Sequence, residues 1–280
     1  VGNVFFVDTA ANGGNNGNHG RTMDQPLLTI TEALDRCAYE HNDVIIILNY
    51  WTPAGEAWPI VVNKRQVHII GAAMWGLPFP AIVPDGDHAC FQFDEAGCYS
   101  EIAFLTIGGG AAHGGIELSV DNQAEGVWIH DCYFGHSWFG LPQNGIWLSP
   151  GGVRHTFGCR IERCTFMGDQ GNFVGALTEQ GILQSGAGGA YARDLEILNN
   201  VFKGVAVGIE LARGFDAVIK GNRFGIDDGG GADQAIDLGA ACLGCLIDDN
   251  HVGTRMAASS TSAPFSDQTG PAGVVNGVGF

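Results

Sequence analysis

Three groups of residues have types and spacings that could do chemistry. Val127-Trp128-Ile129-His130-Asp131-Cys132 sets a base, an acid and a thiol side by side in an apolar run. Glu210 and Asp237 sit at the third place of two similar tetrapeptides, Gly-Ile-Glu-Leu and Ala-Ile-Asp-Leu. If these are equivalent positions on neighbouring strands, their carboxylates lie roughly 5 Å apart. Carboxylates that close raise one another's proton affinity and can serve as acid and nucleophile in glycoside hydrolysis. They could also hold calcium together with Asp227, Asp228 and Asp233 of the loop GIDDGGGAD. The plainer expectation is a stripe of solvated acids. Cys242-Leu-Gly-Cys245 followed by His251 offers three zinc ligands and no clear fourth.

The elements that must position these residues repeat. Ile-x-x-(Cys/Asn)-x-Phe recurs as IHDCYF from Ile129, IERCTF from Ile161, ILNNVF from Ile197 and IKGNRF from Ile219. IDDNHV from Ile247 puts Val252 in the Phe place, and IAFLTI from Ile102 is a looser copy. Successive starts lie between 22 and 36 residues apart. Between the copies runs a second strand, Gly-Ile-x-Leu, beginning at Gly115, Gly145, Gly181 (GILQ), Gly208 and, as AIDL, Ala235. Two strand types alternating once per repeat describe a coil rather than a barrel or a sandwich. Stacked coils turn equivalent positions into columns. Val127, Cys159, Leu195, Ala217 and Cys245 form an inward column, and Cys132, Cys164, Asn200, Asn222 and Asn250 a turn column where amides can satisfy one another. Four of the eight cysteines are thereby structural, buried thiols. His130 and Asp131 are left over from the pattern and are expected to face solvent. The x positions Glu117, Trp147, Leu183, Glu210 and Asp237 are expected to point outward.

The repeats, with the opening segment FFVDTAANGGNNGN…PLLTITEALDRC…NDVIIIL, resemble the right-handed parallel β-helix, or pectate-lyase-like, superfamily over roughly residues 4–253. The style is closest to the β-helix proteins of bacteriophage virions. Residue spacing in that opening predicts a strand at Val4–Val7, a Gly/Asn loop, a helix with Thr29 or Thr31 at its start and a strand from Val44, and the resemblance implies an all-β solenoid in which this helix caps the N-terminal end. Residues 1–253 form one domain, and 254–280 are expected to be an irregular tail. VWIHD also resembles the pectate lyase signature Val-Trp-Ile-Asp-His with acid and base exchanged. The resemblance would make Asp131 a calcium ligand and Arg163 or Arg154 the base that abstracts a sugar proton. The Arg-x-Pro-x-x-Arg segment of that family is absent, as are the polygalacturonase motifs.

Composition bounds the partners. Among 280 residues, 44 are Gly, and the net charge is −17. Such a charge repels nucleic acid and anionic lipid, and no apolar run reaches the about 18–20 residues of a membrane span. No secretory leader is visible, and the thiols suit assembly in a reducing compartment. Trp51, Trp58, Trp75, Trp138 and Trp147 lie mostly in apolar, Pro-stiffened loops such as LNYWTPAGEAWPIVV. Loops of this kind are suited to a protein interface, or to stacking on sugars. The combined expectation is a non-enzymatic structural or adhesive component of a phage particle, such as a decoration protein, fibre or spike. It would contact other virion proteins or its own copies as a homotrimer, without a required cofactor. The alternatives are a polysaccharide lyase or glycoside hydrolase, and a bacterial adhesin.

Overall fold

The computed structural model describes residues 2–49, 55–72, 79–135, 142–152, 154–168, 180–225 and 234–252, together with the short strands Ser266–Asp267 and Val274–Val275. Trp51, Trp75, Trp138, Asp227, Asp228 and Asp233 lie outside the described residues.

One circuit of the chain shows how the repeat is built. Trp128–His130 is followed by a two-residue turn and then Tyr133–Phe134. Next comes Asn144–Leu148, then the two-residue strand Thr156–Phe157, and Arg160–Glu162 begins the following circuit. Each strand pairs in parallel with its counterparts one circuit before and after, giving sheets of ten, eight, seven and four strands among the described residues. Register is strict. Phe5, Ile45, Ile69, Ile102, Ile129, Ile161, Ile197, Ile219 and Ile247 are successive partners in the ten-stranded sheet. The looser copy at Ile102 is therefore a full member of the repeat. The chain is a parallel β-helix.

Its core is made of columns. Phe134, Phe166, Phe202 and Phe224 stack almost face to face, with ring centroids 4.7, 4.7 and 4.8 Å apart, the spacing of the strands themselves. This stack requires the repeated glycines. A Cβ on Gly145 would stand 2.5 Å from the Phe166 ring, and one on Gly181 or Gly208 would be as close to Phe202 or Phe224. The turn column is a hydrogen-bonded ladder. Asn222 Oδ1 accepts from the backbone N and Nδ2 of Asn200, Asn250 Oδ1 accepts the same pair from Asn222, and Nδ2 of Asn222 donates to Ile197 O. Cys164 continues the ladder, its N donating to Asn200 Oδ1. All eight cysteines are free and buried. Cys37 and Cys159 are pushed up to about 12 by burial, so these thiols are inert.

The turn before each ladder residue holds one residue in the left-handed region: Phe104, Asp131, Arg163, Asn199, Gly221 and Asp249. The helix at Ile30–Arg36 buries Ile30, Ala33 and Leu34 and packs against Val4–Val7, Asp43–Ile47 and Ile60–Val62. Thr29 Oγ1 accepts from Glu32 N, and the Glu56 carboxylate accepts from Ile30 N and Thr31 N, so the helix N-terminus is satisfied. No described helix is long and apolar enough to cross a membrane.

Candidate functional site

Among the described residues, the largest set of interacting charged side chains lies on the outer face of the ten-stranded sheet. Flanking the isoleucine column on one side are His68, Glu101, Trp128, Arg160 and Glu196, and on the other His130 and Glu162. Asp131 and Arg163 occupy the same left-handed turn position on adjacent circuits, so their side chains leave the backbone side by side.

The contacts form a continuous chain of charge. Glu101 bridges His68 Nδ1 and His130 Nε2, each at 2.6 Å. His130 Nδ1 lies 2.7 Å from Asp131 Oδ2. The Arg163 guanidinium binds both Asp131 oxygens, at 3.0 Å through Nε to Oδ1 and 2.7 Å through Nη2 to Oδ2, and reaches Glu162 Oε1 at 2.6 Å. Arg160 holds the other Glu162 oxygen at 2.7 Å, and Trp128 Nε1 donates to Oε1 at 3.2 Å. The His130 ring lies over Trp128 with centroids 3.9 Å apart.

This corrects the expectation that His130 and Asp131 face solvent. His130 is 5% exposed and Asp131 half-buried, because the neighbouring circuits supply carboxylate and guanidinium partners that let the pair fold down onto the sheet. Glu101 and Glu162 stand beside the repeated Ile rather than at a motif position, so the motif does not mark them. Reading the residues on either side of each Ile would have placed Glu101 and His130 on adjacent strands.

The electrostatics follow from the contacts. Hydrogen bonds from His130 and then His68 outweigh burial at Glu101 and lower it from 4.5 to about 2. Burial pulls His130 down, but the bonds to Glu101 and Asp131 outweigh it and raise the imidazole above its ordinary value. Burial likewise opposes ionisation of Asp131 and Glu162, yet Arg163 and His130 hold Asp131 below its ordinary value, and Arg160 and Arg163 do the same for Glu162. The Asp131 hydrogen bonds lead in holding Arg163 more firmly protonated than a free arginine. Asp131 therefore has both oxygens engaged, and Arg163 is a poor proton acceptor. Arg154 is elsewhere, its Nε donating to Asp121 O.

The outer face of the eight-stranded sheet carries the second candidate. Glu210 and Asp237 are direct register partners and half-buried, and Gln180 Nε2 donates to Glu210 Oε2 at 3.0 Å. Trp147 and Leu183 precede them in the same column. Exposure along this column is uneven, against the expectation of a uniformly outward stripe. Glu117 is 2% exposed, held by Gln92, His113 and Gly114 N, and Leu183 is 8% exposed. Asn144 is fully buried with neither amide atom bonded. Trp58 packs against the core.

Cys242 and Cys245 are interior, with Cys242 Sγ accepting from Gly214 N and lying 3.1 Å from Leu211 O, whereas His251 is exposed on another sheet. The zinc grouping is thus split between core and surface. Among the described residues, no three His, Cys, Asp or Glu side chains converge as metal ligands do.

No protein-family model matches the chain, and no curated protein does. Several solved structures are similar over most of its length. A lacto-N-biosidase from Eubacterium ramulus has 13% identity and a TM-score of 0.48, over 89% of this chain and 56% of that one. The Dettilon tailspike protein has 13% identity and a TM-score of 0.38, over 88% and 63%. An alginate lyase from Paenibacillus sp. has 15% identity and a TM-score of 0.32, over 89% and 96%. This chain thus spans about half of the biosidase. A likeness of this degree assigns no activity.

Proposed function

We propose that the chain is a non-catalytic, adhesive or structural β-helix module of a virus particle. The observation that carries the non-catalytic part is the saturation of its most chemically endowed cluster. Glu101, His130, Asp131, Arg163 and Glu162 are joined one to the next by short polar contacts, and the contacts favour the charged form of each. A lyase site at this place would need a carboxylate with free oxygens for calcium and an arginine ready to lose its proton, and the geometry supplies neither. The cluster instead ties successive circuits together, a use suited to a rigid exterior module. Eight buried free thiols support assembly in a reducing cytoplasm before release.

Within this reading the solenoid is right-handed, as nearly all parallel crossovers are, and the helix at Ile30–Arg36 closes its N-terminal end. Trp147, with Trp51, Trp58, Trp75 and Trp138, would meet copies of the chain in a homotrimer or other virion proteins.

The test is mass spectrometry across a density gradient of the source material. Peptides of this chain should travel with intact particles at a constant ratio to capsid peptides. Their confinement to soluble or cell-envelope fractions would remove the reading.

One observation favours a second reading. Glu210 and Asp237 are register neighbours, which is the placement a glycoside hydrolase needs. Release of reducing ends from polysaccharide that disappears in both Glu210→Gln and Asp237→Asn would establish that enzyme. Equal release by both variants would remove it.

A further inference from the structure

The seven-stranded sheet differs from the other three. Its described strands, from Ala81–Ile82 to His251–Val252, contain no Asp or Glu, in a chain that has 30 of them. Each of the other sheets carries at least one carboxylate, among them Glu101, Glu117 and Glu125. At the C-terminal end of the seven-stranded sheet, a groove of about 390 Å³ is lined by Lys203, Arg223, Gly225, His251, Thr165 and Val201.

The repeat explains the arrangement. Thr165, Val201, Arg223 and His251 are successive register partners in one outward column, and Lys203 pairs with Gly225 in the column beside it. Adjacent circuits are about 4.8 Å apart, so the three basic side chains border one opening. Gly225 provides the space. Among the described residues a Cβ there would meet nothing nearer than Phe202 O at 4.0 Å, whereas the glycines that face the phenylalanine stack have contacts near 2.5 Å. Lys203, Arg223 and His251 have no ion pair among the described residues, whereas Arg160 and Arg193, on strands of two other sheets, are paired with carboxylates. Of the two acids that precede His251 in the chain, Asp248 is bound by Lys220 at 2.8 Å, and exposed Asp249 makes no ion pair with the groove among the described residues. Asn144 on the eight-stranded sheet has unpaired amide atoms too, but it is fully buried.

We infer that this groove is a binding site for an oxyanion, a carboxylate, sulfate or phosphate group. A planar guanidinium and an ammonium at one opening match such a group through charge-assisted hydrogen bonds. The net charge of −17 disfavours a dense polyanion, so the ligand presents a single compact charge with neutral flanks. An acidic sugar unit between neutral ones has that character, and so does a free inorganic ion. The inference stands whether or not the chain belongs to a virion.

Calorimetric titration at constant ionic strength tests it, with sodium sulfate, sodium phosphate, a hyaluronan hexasaccharide and, as neutral control, maltohexaose. At least one anion should bind and maltohexaose should not. Arg223→Gln, Lys203→Gln and Gly225→Glu should each weaken that binding about tenfold or more. Gly225→Glu fills open space without forcing a strained backbone, and an unchanged circular dichroism spectrum shows that each variant is folded. Tighter binding of the hexasaccharide than of sulfate or phosphate assigns the site to an acidic sugar. Binding of the inorganic ions alone, lost in the variants, assigns it to a free ion. If no anion binds, or if the variants bind as the parent does, the inference is overturned.

Discussion

His130 and Glu101 give the charged cluster an opposite response at the two ends of the pH scale. Glu101 is lowered from 4.5 to about 2, so its contribution to stability is present above about 4.5 and is lost as pH falls toward 2. His130 is raised, so its contribution is complete below its unfolded value near 6.5 and is lost as pH rises through the folded value. Stability drawn from this pair is greatest between those limits. Urea midpoints measured across pH should show a maximum there that Glu101→Gln flattens. That substitution also leaves His130 without one partner, at a cost of about 3 kcal/mol at pH 6. An unchanged pH profile in Glu101→Gln would show that the cluster contributes nothing to this dependence.

Arg163 is held in the left-handed region, where Gly221 stands two circuits later. Removing its side chain breaks the same ion pairs whichever small residue replaces it, but only Gly relieves the backbone. Arg163→Gly should therefore be about 1 kcal/mol more stable than Arg163→Ala. Equal urea midpoints for the two would show that the turn is unstrained.

Among the elements, the strands and their columns were legible in the sequence because each circuit repeats the same inward residues. The meaning of the repeated Gly in Gly-Ile-x-Leu was not. It becomes clear only when Gly181 is seen to lie under the ring of Phe202, a residue of the next circuit. The last copy follows the same logic: Ala235 replaces Gly where Val252 replaces Phe. Gly181→Ala should cost about 2 kcal/mol or more, by driving a methyl into the aromatic stack. The asparagine ladder yields a graded expectation. Asn222 bonds to the circuits on both sides, so Asn222→Ala strands buried groups in each and should cost about 3 kcal/mol. Among the described residues Asn250 bonds only to the circuit before it, accepting from Asn222 and donating to Ile219 O, and Asn250→Ala should cost less. Equal losses in denaturant titrations would mean that the ladder is not cooperative along the axis.

At the scale of the whole molecule, the opposite sides of the solenoid do different things. The ten-stranded sheet is a lattice of paired charges, the eight-stranded sheet carries carboxylates and Trp147, and the seven-stranded sheet carries cations with no ion pair among the described residues. The sequence revealed each residue but not these sides. The charged contacts join circuits roughly thirty residues apart, and such pairs are invisible until register is known. The thiols offer a direct check on the architecture as a whole. The native chain should leave all eight cysteines unreactive toward a thiol reagent of the Ellman type, and urea should release eight equivalents. Rapid labelling of Cys159 or Cys245 in the native state would contradict the inward column.

Strict register has a consequence for how such a chain changes length. Ile161, Ile197 and Ile219 occupy one column, as do Phe166, Phe202 and Phe224, and Ile182, Ile209 and Ile236. Excising residues 197–218 would therefore set Phe224 on Phe166, Ile236 on Ile182 and Asn222 beneath Cys164, and each of these contacts resembles one that already exists. The solenoid is modular in the way a stack of coins is: a unit can leave from the middle and the stack closes. Evolution can thus shorten or lengthen this molecule in whole circuits, setting its reach independently of the surfaces at either end.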